Sequence, residues 1–171
     1  PARQLDWPPM NAPTRTRPAP GDTPGLPAPP PLFYLAGLIA GGALEIFFPL
    51  DAPPGWLRIL VGVVGIVGAV ALLRSALRTF ESVGTTPDPF QPSRALAVSG
   101  PYRFTRNPMY VGMAILYIGL AFALGLVWAL ILLPLILVAI DRLVIAREEP
   151  YLERRFGEPY LAYKRQVRRW L

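Results

Sequence analysis

Residues 100–112 read Gly-Pro-Tyr-Arg-Phe-Thr-Arg-Asn-Pro-Met-Tyr-Val-Gly, and residues 147–149 read Arg-Glu-Glu. Arg103 and Arg106 are permanent cations whose forked donors suit a carboxylate or a phosphate. Pro108 fits the first position of a helix, which makes Asn107 its N-cap and leaves free backbone donors beside the two arginines. That combination is anion-receptive. Glu148 and Glu149 are the opposite kind of group. Read as standing at the C-terminal end of an apolar helix, they are disfavoured by its dipole and call for a cation, from Arg147, Arg106 or a ligand. The plain alternative is a salt-bridge network that ties loop to tail. Neither His nor Cys occurs in the chain. Imidazole bases, thiolate nucleophiles, disulfides and the usual zinc ligands are therefore excluded. Chemistry falls to Glu, Asp, Tyr, Arg, backbone groups or a bound cofactor, and no metal is expected.

The two clusters meet only if the chain between them turns back. Residues 109–140 carry no charge at all. As one helix they would reach about 48 Å, too long for a single crossing, so two crossings with a break near Gly125 are expected. Two earlier apolar runs precede them, Leu32–Leu50 and a run from Trp56, separated by a turn at Asp51-Ala-Pro-Pro-Gly. The expectation is an all-α integral membrane fold with about four transmembrane helices, at 32–50, 56–74, 109–124 and 126–146, followed by an amphipathic tail helix over 148–170. Whether 109–124 spans fully is left open by its length. Residues 1–31 hold eleven prolines and few large apolar side chains, which reads as a disordered or extended arm ahead of a membrane domain at 32–171. The arm lacks the basic-then-apolar order of a cleavable signal.

With 53% hydrophobic residues gathered in blocks, the chain is too apolar for an ordinary soluble domain. Its net charge of +6 sits beside those blocks, which points to anionic lipid headgroups and away from nucleic acid. Arg3, Arg15 and Arg17, the arginines of 74–106, and the basic tail fall on one side of the spans, against Arg58 and Asp51 on the other. The positive-inside rule then makes both termini and the clusters cytoplasmic.

Other features read as structural. Gly62, Gly65 and Gly68 allow close helix packing, and Glu45 is an interhelical hydrogen-bonder or snorkels to the interface. Lys164 and the tail arginines are lipid anchors. Leu152, Phe156, Tyr160, Tyr163, Val167 and Leu171 form one stripe of a helix, and Trp170 is an interfacial aromatic.

Gly100-Pro-Tyr-Arg-x-x-Arg-Asn-Pro-Met-Tyr-x-Gly, followed by Arg-Glu-Glu-x-x-Leu-x-x-x-Phe-Gly-x-x-Tyr-x-x-Tyr over 147–163, resembles the isoprenylcysteine carboxyl methyltransferase and phospholipid methyltransferase superfamily. Gly84-Thr-Thr-Pro-Asp-Pro is similar to bacterial members, and the resemblance covers about residues 57–171. It implies an enzyme of the bacterial inner membrane that uses S-adenosyl-L-methionine. By that resemblance Tyr102, Arg106, Asn107, Pro108, Met109 and Tyr110 line the cofactor pocket on one side and Glu149 closes the other. Arg106, Arg147, Glu148 and Glu149 are the catalytic candidates. Eukaryotic carboxyl methyltransferases of this pattern carry His at the place of Asn107, so a charge-based role there does not transfer. The acceptor is membrane-dissolved. A carboxylate such as a prenylcysteine-like group is favoured, because it arrives ionised and needs only a cation to orient it. A phospholipid amine, with Glu148 or Glu149 as base, is the alternative, and a non-enzymatic lipid-binding scaffold is the reading outside catalysis.

Overall fold

The computed structural model describes residues 23–171 apart from Pro87 and Pro89. The first twenty-two residues of the arm, with Arg3, Arg15 and Arg17, lie outside the described residues.

The described residues form helices and no strand. Helix α1 is Pro30–Phe47, opening with proline in its first turn, and α2 is Gly55–Ser82, starting straight after Pro53-Pro54. Helix α3 is Pro108–Leu124 and ends at Gly125, whose φ of 72° is the left-handed cap that glycine accommodates. Helix α4, Val127–Ala139, passes through a π-helical stretch at Ile140–Ile145 into α5, Ala146–Phe156. These three pieces make one continuous helix of 30 residues. Gly157, at φ 58°, ends it, and α6 follows at Glu158–Gln166.

The fold is all-α and of integral-membrane type. Three helices, Pro30–Phe47, Gly55–Ser82 and Val127–Phe156, are long and apolar enough to cross a membrane, and α3 is shorter at 17 residues. At 1.5 Å per residue α2 reaches about 42 Å and the Val127–Phe156 helix about 45 Å, well past a hydrocarbon layer of about 30 Å. The apolar part of the latter ends at Ile140, and Asp141-Arg142 opens its polar end. Eight of the sixteen residues from Asp141 to Phe156 are charged, which disfavours the hydrocarbon for that part of the helix. The surplus turns of α2 and α5 meet α6 and the 83–107 connection at the same end, where Ala76, Ala97, Tyr102, Tyr160 and Tyr163 pack into one core.

Small residues set how closely the helices approach. A Cβ added to Gly65 would stand 3.0 Å from the Cα of Gly119, and one on Gly62 would meet Ala123 at 2.8 Å, so α2 and α3 are nearly in backbone contact. Gly68 faces open space, so the close-packing expectation holds for two of the three glycines. Gly41 lies equally tight on Ala129, joining α1 to α4. Across these seams Tyr117 Oη donates to the Ala129 carbonyl at 2.7 Å and Tyr34 Oη to the Tyr110 carbonyl at 3.1 Å. At the opposite end from the tail, Glu45 accepts from the backbone N–H groups of Leu50 and Trp128, the interhelical role expected of it.

Two expectations change. The tail is not one helix over 148–170. Gly157 splits it, the chain leaves helical geometry at Val167 (φ −118°, ψ 133°), and the six-residue stripe is divided between elements. Glu148 and Glu149 also do not end a helix, because the Val127–Phe156 helix continues past them. The dipole argument for a compensating cation therefore falls, although cations are present for another reason.

Candidate functional site

Three pieces of chain converge at the polar end of the bundle. The 3-10 turn Gly100–Arg103 carries Tyr102, the first turn of α3 carries Met109 and Tyr110, and α5 carries Glu148 and Glu149. Between them lies a cavity lined also by Arg106 and Asn107, by Tyr160 and Tyr163 of α6, by Thr86, Asp88, Gln91, Ser93, Ala95, Leu96 and Ala97 of the connection, and by Pro24 of the arm. The proximity of the two charged clusters is thus a consequence of the α3–α4 hairpin.

Glu149 is the electrostatic centre. Its side chain is 8% exposed and receives three cations. Arg106 approaches through Nη2 alone, at 3.2 Å. Arg169 grips both oxygens, Nε to Oε1 at 3.0 Å and Nη2 to Oε2 at 2.7 Å, and Lys164 Nζ lies 3.5 Å from Oε2. A carboxylate this enclosed is tolerable only when paired. Arg106 is nearly as enclosed, at 9%, yet its Nε and Nη1 have no hydrogen-bond partner among the described residues. Buried charged donors without partners are costly. They are the clearest opening for an anionic ligand.

Glu148 sits differently. Its Oε1 accepts a 2.6 Å hydrogen bond from Tyr110 Oη. Burial pushes its carboxyl up to about 7. The Tyr110 hydrogen bond opposes that rise, and the Glu149 charge adds to it. Burial also pushes the Tyr102 and Tyr163 phenols well up, so both remain protonated. Tyr163 Oη spends its proton on the Tyr102 carbonyl at 2.7 Å, fixing the 3-10 turn against α6. Tyr151 Oη accepts from the Ser93 backbone N–H at 2.8 Å and holds the connection over the cavity.

Of the residues singled out from sequence, Tyr102, Arg106, Asn107, Met109, Tyr110, Glu148 and Glu149 line the cavity. Pro108 is buried behind it as the first residue of α3. Arg103 is exposed. Arg147 is exposed too, and its Nη1 donates to the Gly25 carbonyl at 2.8 Å. Arg147 does not line the cavity as expected, because its helical position turns it toward the arm. Asn107 is the N-cap by position, but its side chain makes no cap bond. It donates instead to the Arg169 carbonyl at 2.8 Å. Lys164, expected as a lipid anchor, pairs with Glu153 at 2.6 Å as well as with Glu149.

Sequence reasoning missed Arg169 and Asp141. Asp141 accepts from Arg169 Nη1 at 3.2 and 3.3 Å and from Trp170 Nε1 at 3.1 Å. One signal was available: Asp141 is the first charge after thirty-four uncharged residues, and a charge at such a boundary is rarely without a partner.

A family model described as phospholipid methyltransferase matches residues 57–159, which takes in every cavity-lining residue named above except Pro24, Tyr160 and Tyr163. The chain belongs to the phospholipid methyltransferase family. An uncharacterized protein of Haemophilus influenzae is 38% identical over 63 residues, covering 37% of this chain and all of that protein. No solved structure matches. Membership in a family of membrane methyltransferases agrees with the apolar helices, and this phospholipid methyltransferase family member is an integral membrane protein. Within it, α1, the arm and the strap of residues after Gln166 lie outside the matched region, yet the arm and the strap both touch the site.

Proposed function

We propose that the protein transfers a methyl group from S-adenosylmethionine to an amine acceptor dissolved in the membrane. One observation carries the reading: a tyrosine-rich cavity in which a buried arginine keeps two donors unpaired beside two carboxylates. The residues fit the cofactor. Arg106 Nε and Nη1 match an α-carboxylate, and the aromatic wall suits its cationic and adenosine parts. When bound, the cofactor supplies an electrophilic methyl on a sulfonium.

The chain's own work is then positioning, dehydration and one proton transfer. Arg106 and Glu149 hold the floor of the cavity, and the connection, pinned by Tyr151, excludes water. Arg106 is the one cation among the described residues that line the cavity, and it is committed to Glu149 and the cofactor. No second cation is left to orient an acceptor carboxylate, so the carboxylate favoured from sequence gives way to the amine. An amine arrives protonated. Glu148, poised near neutrality, accepts that proton as general base and frees the lone pair for in-line attack. By the positive-inside distribution the site faces the cytoplasm.

The test is to incubate membranes holding the protein with methyl-labelled S-adenosylmethionine and to identify the labelled lipid class. Label on an aminophospholipid, lost in Glu148→Gln while cofactor binding persists, is the expected result. Label on a carboxyl ester would replace the amine reading, and absence of label in a cofactor-binding protein would remove the lipid acceptor.

A further inference from the structure

Glu149 has two arginines competing for it, and the second one comes from a strap that no family match covers. Arg169 occupies the forked, two-oxygen geometry, the strongest pairing a guanidinium makes with a carboxylate. Its remaining nitrogen is anchored to Asp141 in the π-helical stretch, and Trp170 donates to the same carboxylate. The main chain is tied down as well. The Arg168 carbonyl accepts from the Arg106 N–H at 2.9 Å, and the Arg169 carbonyl accepts from Asn107 Nδ2 and from Thr105 Oγ1 at 3.1 Å. Arg169 thus joins the loop before α3 to α5 through one residue.

We propose that Arg169 is a positioning residue whose task is to keep Arg106 available. By filling the forked face of Glu149, it restricts Arg106 to a single-donor contact and leaves Nε and Nη1 of Arg106 free for the anionic group of a ligand in the cavity. The inference rests on the proposed function in identifying that group as the cofactor's α-carboxylate. Without the Arg169 guanidinium, Oε2 of Glu149 loses its closest partner and Arg106 can swing to take both oxygens. Its free donors are then consumed inside the protein, and a carboxylate ligand must compete with Glu149 for them. A ligand without that carboxylate has nothing to lose. Asp141 serves the same end at one remove, by preventing Arg169 from turning away.

The experiment compares S-adenosylhomocysteine with its decarboxylated analogue. Binding of each to the full chain in lipid nanodiscs is measured by calorimetry for wild type, Arg169→Ala and Arg169→Lys. Arg169→Ala is expected to weaken S-adenosylhomocysteine about tenfold and to leave the decarboxylated analogue unchanged. Arg169→Lys, which holds Glu149 with one ammonium, falls between for the first ligand and is neutral for the second. Equal losses for both ligands would make Arg169 a general scaffold and overturn the proposal. So would unchanged S-adenosylhomocysteine affinity in Arg169→Ala. If Arg169→Ala does not fold, Arg169→Lys decides by the same comparison: a loss confined to the carboxylate ligand supports the proposal, and a shared or absent loss overturns it. A well-folded wild type that binds neither ligand defeats the proposed function itself, a result distinct from any difference between variants.

Discussion

The bundle has a carboxylate–arginine pair of residues at each end, and the two ends use them differently. At one end Glu45 accepts from two backbone N–H groups and Arg58 Nη2 donates to the Ala123 carbonyl at 3.4 Å. These side chains cap main chain that a helix end leaves unbonded. Arg58 also has an unpaired Nε, but its guanidinium lies so close to Gly125 that a Cβ there would be 3.0 Å away, and main chain fills the space beside it. At the other end Glu149 and Arg106 bond side chain to side chain, with surplus cation on the first and unspent donors on the second. Arg106 lines a cavity. Charge at least partly withdrawn from water is common to both ends, and unfilled bonding capacity next to space is what separates a site from a cap.

The comparison breaks most readily at Arg106. Arg106→Ala should lower methyl transfer by at least about a hundredfold, whereas Glu45→Gln should leave turnover intact and cost about 1 kcal/mol of stability. Labelled transfer and thermal unfolding in nanodiscs read the two effects. Similar activity losses from both would mean that the ends are not functionally distinct.

Glu148→Gln is expected to reduce turnover by roughly a hundredfold or more while S-adenosylhomocysteine still binds, the range for a lost general base. In the wild type the rate should rise as pH increases through about 7, because the deprotonated carboxylate is the base. Tyr110→Phe removes a hydrogen bond that favours the charged form, so the midpoint of that rise should move to higher pH. A pH–rate profile unchanged by Tyr110→Phe would detach Glu148 from the proton transfer.

Packing mutations act on both ends together. Gly41→Val forces a Cβ to within 2.6 Å of Ala129 backbone and should destabilise the fold by about 1–3 kcal/mol. Gly68→Ala meets nothing within 4 Å and should be silent. The smallest effect is expected for Arg147→Ala, which loses only an exposed bond to the Gly25 carbonyl and should change the rate by no more than about threefold.

The hairpin was legible because thirty-two uncharged residues admit few arrangements, and with it came the meeting of Arg106 and Asn107 with Glu148 and Glu149. Glycine at 125 marked the turn for the same reason it makes one. What local pattern did not carry was partner choice. Arg147 and Arg169 are chemically identical, and only the helical phase of the first and the extended strap of the second decide which reaches Glu149. The stripe of Leu152 to Leu171 had the right period for one helix, and Gly157, whose φ of 58° breaks it, was read as part of a motif when it was also a helix stop. Asp141 was hidden by being counted within a span. A charge that ends an apolar run should be assigned a partner before it is assigned a depth.

Equilibrium binding of S-adenosylhomocysteine to the full chain in lipid nanodiscs, compared across wild type, Glu45→Gln and Arg106→Ala, bears most directly on the cavity as a cofactor site. Micromolar affinity in wild type and Glu45→Gln, falling about tenfold or more in Arg106→Ala, is the predicted result. A folded wild type with no affinity, or an Arg106→Ala variant that binds as well as wild type, would contradict it.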